Sequence, residues 1–226
     1  MRAASRRGLV AVSVRPGLWS RPGWEERGDG RLLQRVDSAL AQGVRRAGER
    51  LACKVGCTEC CMGPFPITWL DARRLAAGLE ALALDEPGRA ARIRRRSRAA
   101  VRALGRGFPG DPGSGRLNED EVARERFFDR HGADPCPALD PRRGACELYA
   151  WRPLTCRCYG LPVRLGRETL PPCRLCFVGA SQREVGRCRV VLDAERMEDR
   201  LLRRLLREGE PAGAETVVAF ALVGRR

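Results

Sequence analysis

From Leu32 to Leu51 apolar residues return at helical spacing, at Leu32, Leu33, Val36, Leu40 and Val44. A stripe recurring every three to four residues predicts an amphipathic helix. Thr68 followed three residues later by Asp71 makes an N-cap signal, and Leu70, Leu75, Leu79 and Leu82 continue a second helix behind it. A third covers 86–104, with Ile93, Ala100, Val101 and Leu104 as its apolar stripe. Arg89, Arg92, Arg94, Arg95, Arg96, Arg98 and Arg102 crowd its other sides. Asn118 caps a short predicted helix ending near His131-Gly132. Met197, Leu201, Leu202, Leu205 and Leu206 mark a C-terminal helix over about 193–208.

Between these segments periodicity fails. Residues 1–30 mix Gly, Pro and Arg and read as a loose arm, and Gly105 to Gly115 reads as a Gly/Pro-rich link. The stretch 133–180 is irregular and rich in cysteine and proline. Val190-Val191-Leu192 reads as a short strand or as the lead-in to the last helix, and Val217 to Val223 is apolar but ambiguous in type. The expected fold is mainly α, with little β. A single small helical domain spans 31–226, and its long cysteine-rich loops are organised around a metal centre.

Cysteine usage leads to that last expectation. Cys53, Cys57, Cys60 and Cys61 pack four thiols into nine residues as C-x-x-x-C-x-x-C-C, just beyond the first helix. A second set, Cys136, Cys146, Cys156, Cys158, Cys173 and Cys176, begins about 75 residues later, with Cys188 trailing. Core packing does not call for such crowding, because a buried thiol gains little over a small apolar side chain. A chain of 226 residues can bury a core without staples, and its 11 cysteines, an odd number, cannot all pair as disulfides. Adjacent Cys60 and Cys61 would close a strained ring.

Thiolates two and three residues apart suit a soft metal ion or an iron–sulfur cluster. Three chemistries stay open: a closed four-thiolate zinc site, for which Cys173-x-x-Cys176 has suitable spacing; an iron–sulfur cluster, for which Cys57-x-x-Cys60 is a natural bite; and a polynuclear site using the Cys60-Cys61 pair. Cys53, Cys57 and Cys60 share the spacing of radical S-adenosylmethionine enzymes, but the strand–helix alternation of their barrel is missing. Side chains of neighbours in an extended segment point to opposite faces, so Cys60 and Cys61 are expected to serve different centres, or one the centre and the other the core. His131, the single histidine, is expected to cap its helix rather than ligate.

The residues carry a resemblance. Cys53-x-x-x-Cys57-x-x-Cys60-Cys61, then Cys136-Pro137-Ala138-Leu139, Gly144-Ala145-Cys146-Glu147-Leu148-Tyr149 and Arg152-Pro153-Leu154-Thr155-Cys156-Arg157 follow in the order of the YkgJ-type cysteine-cluster family. That family is described as a zinc- or iron-chelating domain, and the resemblance spans about 50–180. It implies a metal site built from Cys53, Cys57, Cys60, Cys61, Cys136, Cys146, Cys156 and Cys173. Cys158, Cys176 and Cys188 lie outside the shared pattern, and Gly160 departs from its usual aromatic-proline ending. The arginine-rich segment 86–104 falls in the variable stretch. Flagellin lysine N-methylases look similar in this cysteine pattern, which implies an alternative as an iron–sulfur, S-adenosylmethionine-dependent protein N-methyltransferase. The largely all-sulfur donor set favours an iron–sulfur cluster over zinc.

Charge changes the picture less. A net charge of +15 invites a nucleic-acid partner. Lys54 is the sole lysine, however, and aromatic residues make up 5% of the chain, leaving few stacking platforms. The exposed arginines of 86–104 are expected to be a solvated helix side. Arg152 and Arg157, beside the second cysteine set, could offset thiolate charge or make loop contacts, and Tyr149 could fill the core. No stretch approaches the roughly 20 apolar residues of a membrane span. Reduced thiols point to the cytoplasm. A metal ion or cluster is the expected partner, with a further protein partner left open.

Overall fold

A computed structural model describes residues 28–166, 168–192, 196–207 and 214–223. Almost all of the expected N-terminal arm, residues 1–27, lies outside them, as do both ends of the predicted 193–208 helix.

The helical periodicity holds where it was strongest. Helix α1 (Asp29–Ala47) buries Leu32, Leu33, Val36 and Leu40, while Val44 is left exposed at the edge of the stripe. Helix α2 (Trp69–Asp85) starts at the predicted cap, with the Thr68 side chain accepting the Asp71 N–H at 3.3 Å. That satisfies one of the donors a helix start leaves open. Helix α3 (Pro87–Leu104) has its proline in the first turn, where the missing N–H costs nothing. Helix α4 (Glu121–Arg130) begins later than expected. Its cap is Asp120, which accepts from Ala123, whereas Asn118 accepts from the Asp120 N–H one step upstream. Helix α5 (Leu154–Cys158) and helix α6 (Gln182–Arg187) are short. Helix α7 (Met197–Arg207) buries Leu205 and leaves Leu206 exposed, and the ambiguous tail becomes helix α8 (Val218–Val223).

The expectation of a mainly α chain with little β is loosely met, since every described strand is short. Among the described residues there are nine, each two or three residues long, in four small sheets. Strand β1 (Ile67–Thr68) pairs antiparallel with β9 (Glu215–Thr216). The supposed Gly/Pro link is a hairpin of β2 (Gly110–Asp111) and β3 (Arg116–Leu117). The irregular 133–180 stretch contains the hairpin β4 (Leu139–Asp140) and β5 (Ala145–Cys146). It also holds β6 (Val163–Leu165) and β7 (Glu168–Leu170), and β8 (Val190–Leu192) adds to β6 in parallel.

Three apolar clusters hold these elements. The first joins α1, α5, β6, β8 and α7, and includes Cys158, Cys173, Cys176, Phe177 and Cys188. The second lies among α2, α3 and α8, with Ala138 and Leu148 from the β4–β5 region. The third packs Leu104, Phe108, Leu117, Phe127, Val217 and Ala219. These clusters replace the expected organising principle. Among the described residues no group of three or more His, Cys, Asp or Glu is placed to hold a metal ion, so the fold is not organised around a metal centre. Among them, too, no helix is long and apolar enough to cross a membrane.

Candidate functional site

The first cysteine segment leaves α1 through a single 3-10 turn at Gly48–Arg50 and makes another at Glu59–Cys61. The Cys57 N–H donates to Lys54 O at 3.0 Å and the Cys61 N–H to Thr58 O at 2.7 Å, so tight turns present the thiols from one short loop. Several contacts join this loop to later segments. The Cys136 N–H donates to Cys61 O at 2.8 Å, beside a bridge between Met62 and Pro135. Arg174 grips Glu59 with two donors, each at 2.9 Å.

The thiols fall into two groups. Cys53 Sγ lies 4.0 Å from Cys176 Sγ, with Cys57 and Cys173 within electrostatic reach of Cys53. Cys60 and Cys61 instead sit with Cys136, Cys146 and Cys156; burial raises Cys136 and Cys156, and the charges of Cys60 and Cys146 add to it. Each group draws on both halves of the chain. From an extended backbone Cys60 and Cys61 are expected to serve different centres, or one the centre and the other the core; the segment is instead a 3-10 turn, with the two thiols hydrogen-bonded to each other. Cys176, set outside the shared pattern, belongs to the first group. Its spacing to Cys173 was the available signal, and only the fold places it beside Cys53. Cys158 and Cys188 are buried in the first apolar cluster.

Although Cys53 is an exposed residue, partial desolvation pushes its thiol up to about 12, with the neighbouring Cys176 adding to it, and burial does the same to Cys136. Burial also raises Cys146, Cys156 and Cys173. Charged forms are penalised away from water and again by like neighbours. Cys60 runs the other way, held below the ordinary thiol range by the Cys61 thiol that donates to it and by the Arg152 guanidinium. Cys61 is correspondingly raised.

Arginines around the second group divide by task. Arg157 takes the structural role, donating to both Asp37 carboxylate oxygens at 2.8 Å and to the Arg152 and Ala150 carbonyls. The Arg152 guanidinium covers the Tyr149 ring at 3.8 Å and acts on Cys60 and Cys146, while its buried Nε has no hydrogen-bond partner. Tyr149 is exposed and does not fill the core. Two arginines of α3 also serve the site. Arg89 and Arg96 both hold the buried carboxylate of Glu147, next to Cys146, and Arg96 donates to Pro137 O at 2.9 Å, next to Cys136. The other exposed arginines of α3 remain on a solvated side. His131 ends α4 and contacts Asp134 through Nδ1 at 2.7 Å, in the capping role expected of it.

Three features fit a thiolate-bound metal: an all-sulfur donor set, an orphaned buried N–H on Arg152, and a cradle at Gly160. A Cβ on Gly160 would stand 2.7 Å from Cys53 Sγ and 3.9 Å from Cys176 Sγ, so only glycine leaves that space open. Sulfur spacing is the feature that does not fit as placed. Among the described residues no three or more of the thiols converge as a metal ion would need. No family model matches the chain, and no match was found among curated proteins or solved structures.

Proposed function

We propose that this chain is a metal-binding protein that holds an iron–sulfur cluster or zinc through thiolates of Cys53, Cys57, Cys60, Cys61, Cys136, Cys146, Cys156 and Cys173. The observation that carries the reading is the grouping of these thiols from segments about 75 residues or more apart, in a chain whose apolar clusters already supply a core. A bound cation would favour the deprotonated form of such neighbouring thiols, since the metal supplies positive charge and each ligand gives up its proton. Arg152 would add a donor to ligand sulfur, the kind of outer contact that orients and tunes a metal site. The bound group itself would supply either redox capacity, if iron–sulfur, or a rigid tetrahedral link, if zinc. Thiols in this number persist where the surroundings are reducing, so the cytoplasm is the proposed location.

Anaerobic purification followed by metal and sulfide analysis and a visible absorption spectrum tests the reading. A brown protein with charge-transfer bands supports a cluster, and a colourless, zinc-rich protein supports zinc. Protein that carries neither metal, and takes up neither on reconstitution, overturns it.

A further inference from the structure

We propose that Cys53 and Cys176 are a redox pair, a reversible modification site at which the two thiols close to a disulfide, Cys53 taking up the oxidant and Cys176 completing the bond. The proposal stands whether or not the chain binds metal. It adds a consequence to that reading, because a sulfur held in a disulfide is no longer a thiolate ligand.

Geometry carries it. Both cysteines are free, and their Sγ atoms lie 4.0 Å apart. A disulfide is about 2.05 Å long, so closure asks for an approach of roughly 2 Å, a side-chain rotation with a small backbone adjustment. The two are 123 residues apart, so no small strained ring forms, unlike at adjacent Cys60 and Cys61. Their backbones already run together. The Phe177 N–H, next to Cys176, donates at 2.8 Å to the carbonyl of Arg50, just before Cys53. Arg50 also reaches Glu184 at 2.6 Å, and Arg174 holds Glu59 beyond the pair. Phe177 has φ of 56°, a left-handed conformation that a bulky residue keeps only where its surroundings fix it. The Cys176 turn is therefore set against the Cys53 loop before any oxidation, which raises the effective concentration of one thiol at the other. Gly160 leaves room for the sulfurs, since a Cβ there would stand 2.7 Å from Cys53 Sγ. Access divides the roles, with Cys53 exposed and Cys176 buried.

The oxidant is a low-molecular-weight disulfide. Cys53 gives up its proton and its sulfur attacks that disulfide, breaking the S–S bond and releasing one small thiol. Cys176, losing its proton in turn, attacks the Cys53 sulfur of the mixed disulfide and expels the second. Two protein thiols are oxidised, one small disulfide is reduced to two thiols, and the two protons leave with them. In reducing surroundings such a bond is transient and is reversed by the same exchange. Partial desolvation and the Cys176 contact keep Cys53 protonated, which slows the first attack, so end points rather than rates are compared.

The test uses the full chain, reduced and freed of metal by chelation, equilibrated anaerobically in glutathione buffers of rising oxidised fraction. Remaining thiols are alkylated, and the unreduced digest is read by mass spectrometry. A peptide linking Cys53 to Cys176 is the first internal disulfide expected to accumulate, and it disappears on return to reduced glutathione. Variants are compared after circular dichroism confirms that each folds. C188S, which alters a buried thiol of the same apolar cluster, keeps the linkage; C176S loses it and retains glutathione on Cys53. Preferential linkage of Cys173 to Cys176, or of Cys53 to Cys57, overturns the proposal, as does no linkage of Cys53 to Cys176 at any buffer composition. A chain that forms this disulfide but takes up neither iron–sulfur nor zinc keeps the proposal and removes the metal-binding reading. A chain that binds metal and never forms the disulfide does the reverse.

Discussion

At the scale of single residues, the most consequential side chain is one that the pattern did not single out. Arg74 on α2 is fully buried and binds both oxygens of Asp29 on α1, at 2.6 and 3.2 Å, together with Asp71 one turn back. Asp71 in turn accepts the Leu154 N–H at 3.1 Å, at the start of the short helix that carries Cys156. One guanidinium thus ties two long helices to the thiol-bearing segment. Arg74→Met removes the cation and leaves two carboxylates buried together, which costs about 3–5 kcal/mol. Urea unfolding reads that loss directly, and a change under about 1 kcal/mol, the size of an ordinary surface substitution or less, would contradict the assignment. Nothing local distinguished Arg74 from its many neighbours, because an arginine on a helix is usually solvated. The contact of Cys176 with Cys53 escaped for a related reason: the two are 123 residues apart and only tertiary structure brings them together.

At the scale of elements, sequence and structure agree where a signal spans several turns. The three long helices α1 to α3 were legible from stripe and cap, since the burial of a face and the satisfaction of a helix start are local demands. The hairpins were not, because strands of two residues carry no alternation to read. Nor was the use of α3 as a brace, through Arg89 and Arg96 on Glu147, since it depends on a buried carboxylate supplied by another segment. Helix α2 makes a comparable contact through an absence. A Cβ on Gly78 would stand 2.3 Å from Cγ of Trp151, on the turn between Cys146 and Cys156. At an open helix position Gly→Ala gains up to about 1 kcal/mol. Here Gly78→Ala is expected to cost about 1–3 kcal/mol by overpacking, with a shift in tryptophan emission as Trp151 is displaced. A stabilised variant with unchanged emission would show that α2 and the turn do not press together.

At the scale of the whole molecule, the apolar clusters make the fold and the thiols ride on it. The reading from sequence assigned the loops to a metal because no other core was visible for them. The strands at β4 to β8 and the cysteines and Phe177 of the first cluster supply part of that core. What the structure adds to the cysteine pattern is its relation to the core, with Cys158, Cys173, Cys176 and Cys188 in the first apolar cluster and Cys136 and Cys146 packed against the second. The most direct measurement is X-ray absorption at the edge of whichever metal co-purifies anaerobically. A first shell of sulfur alone, with bonds of about 2.3 Å, is the predicted result. A shell of nitrogen and oxygen, or a chain that retains no metal, would contradict the account.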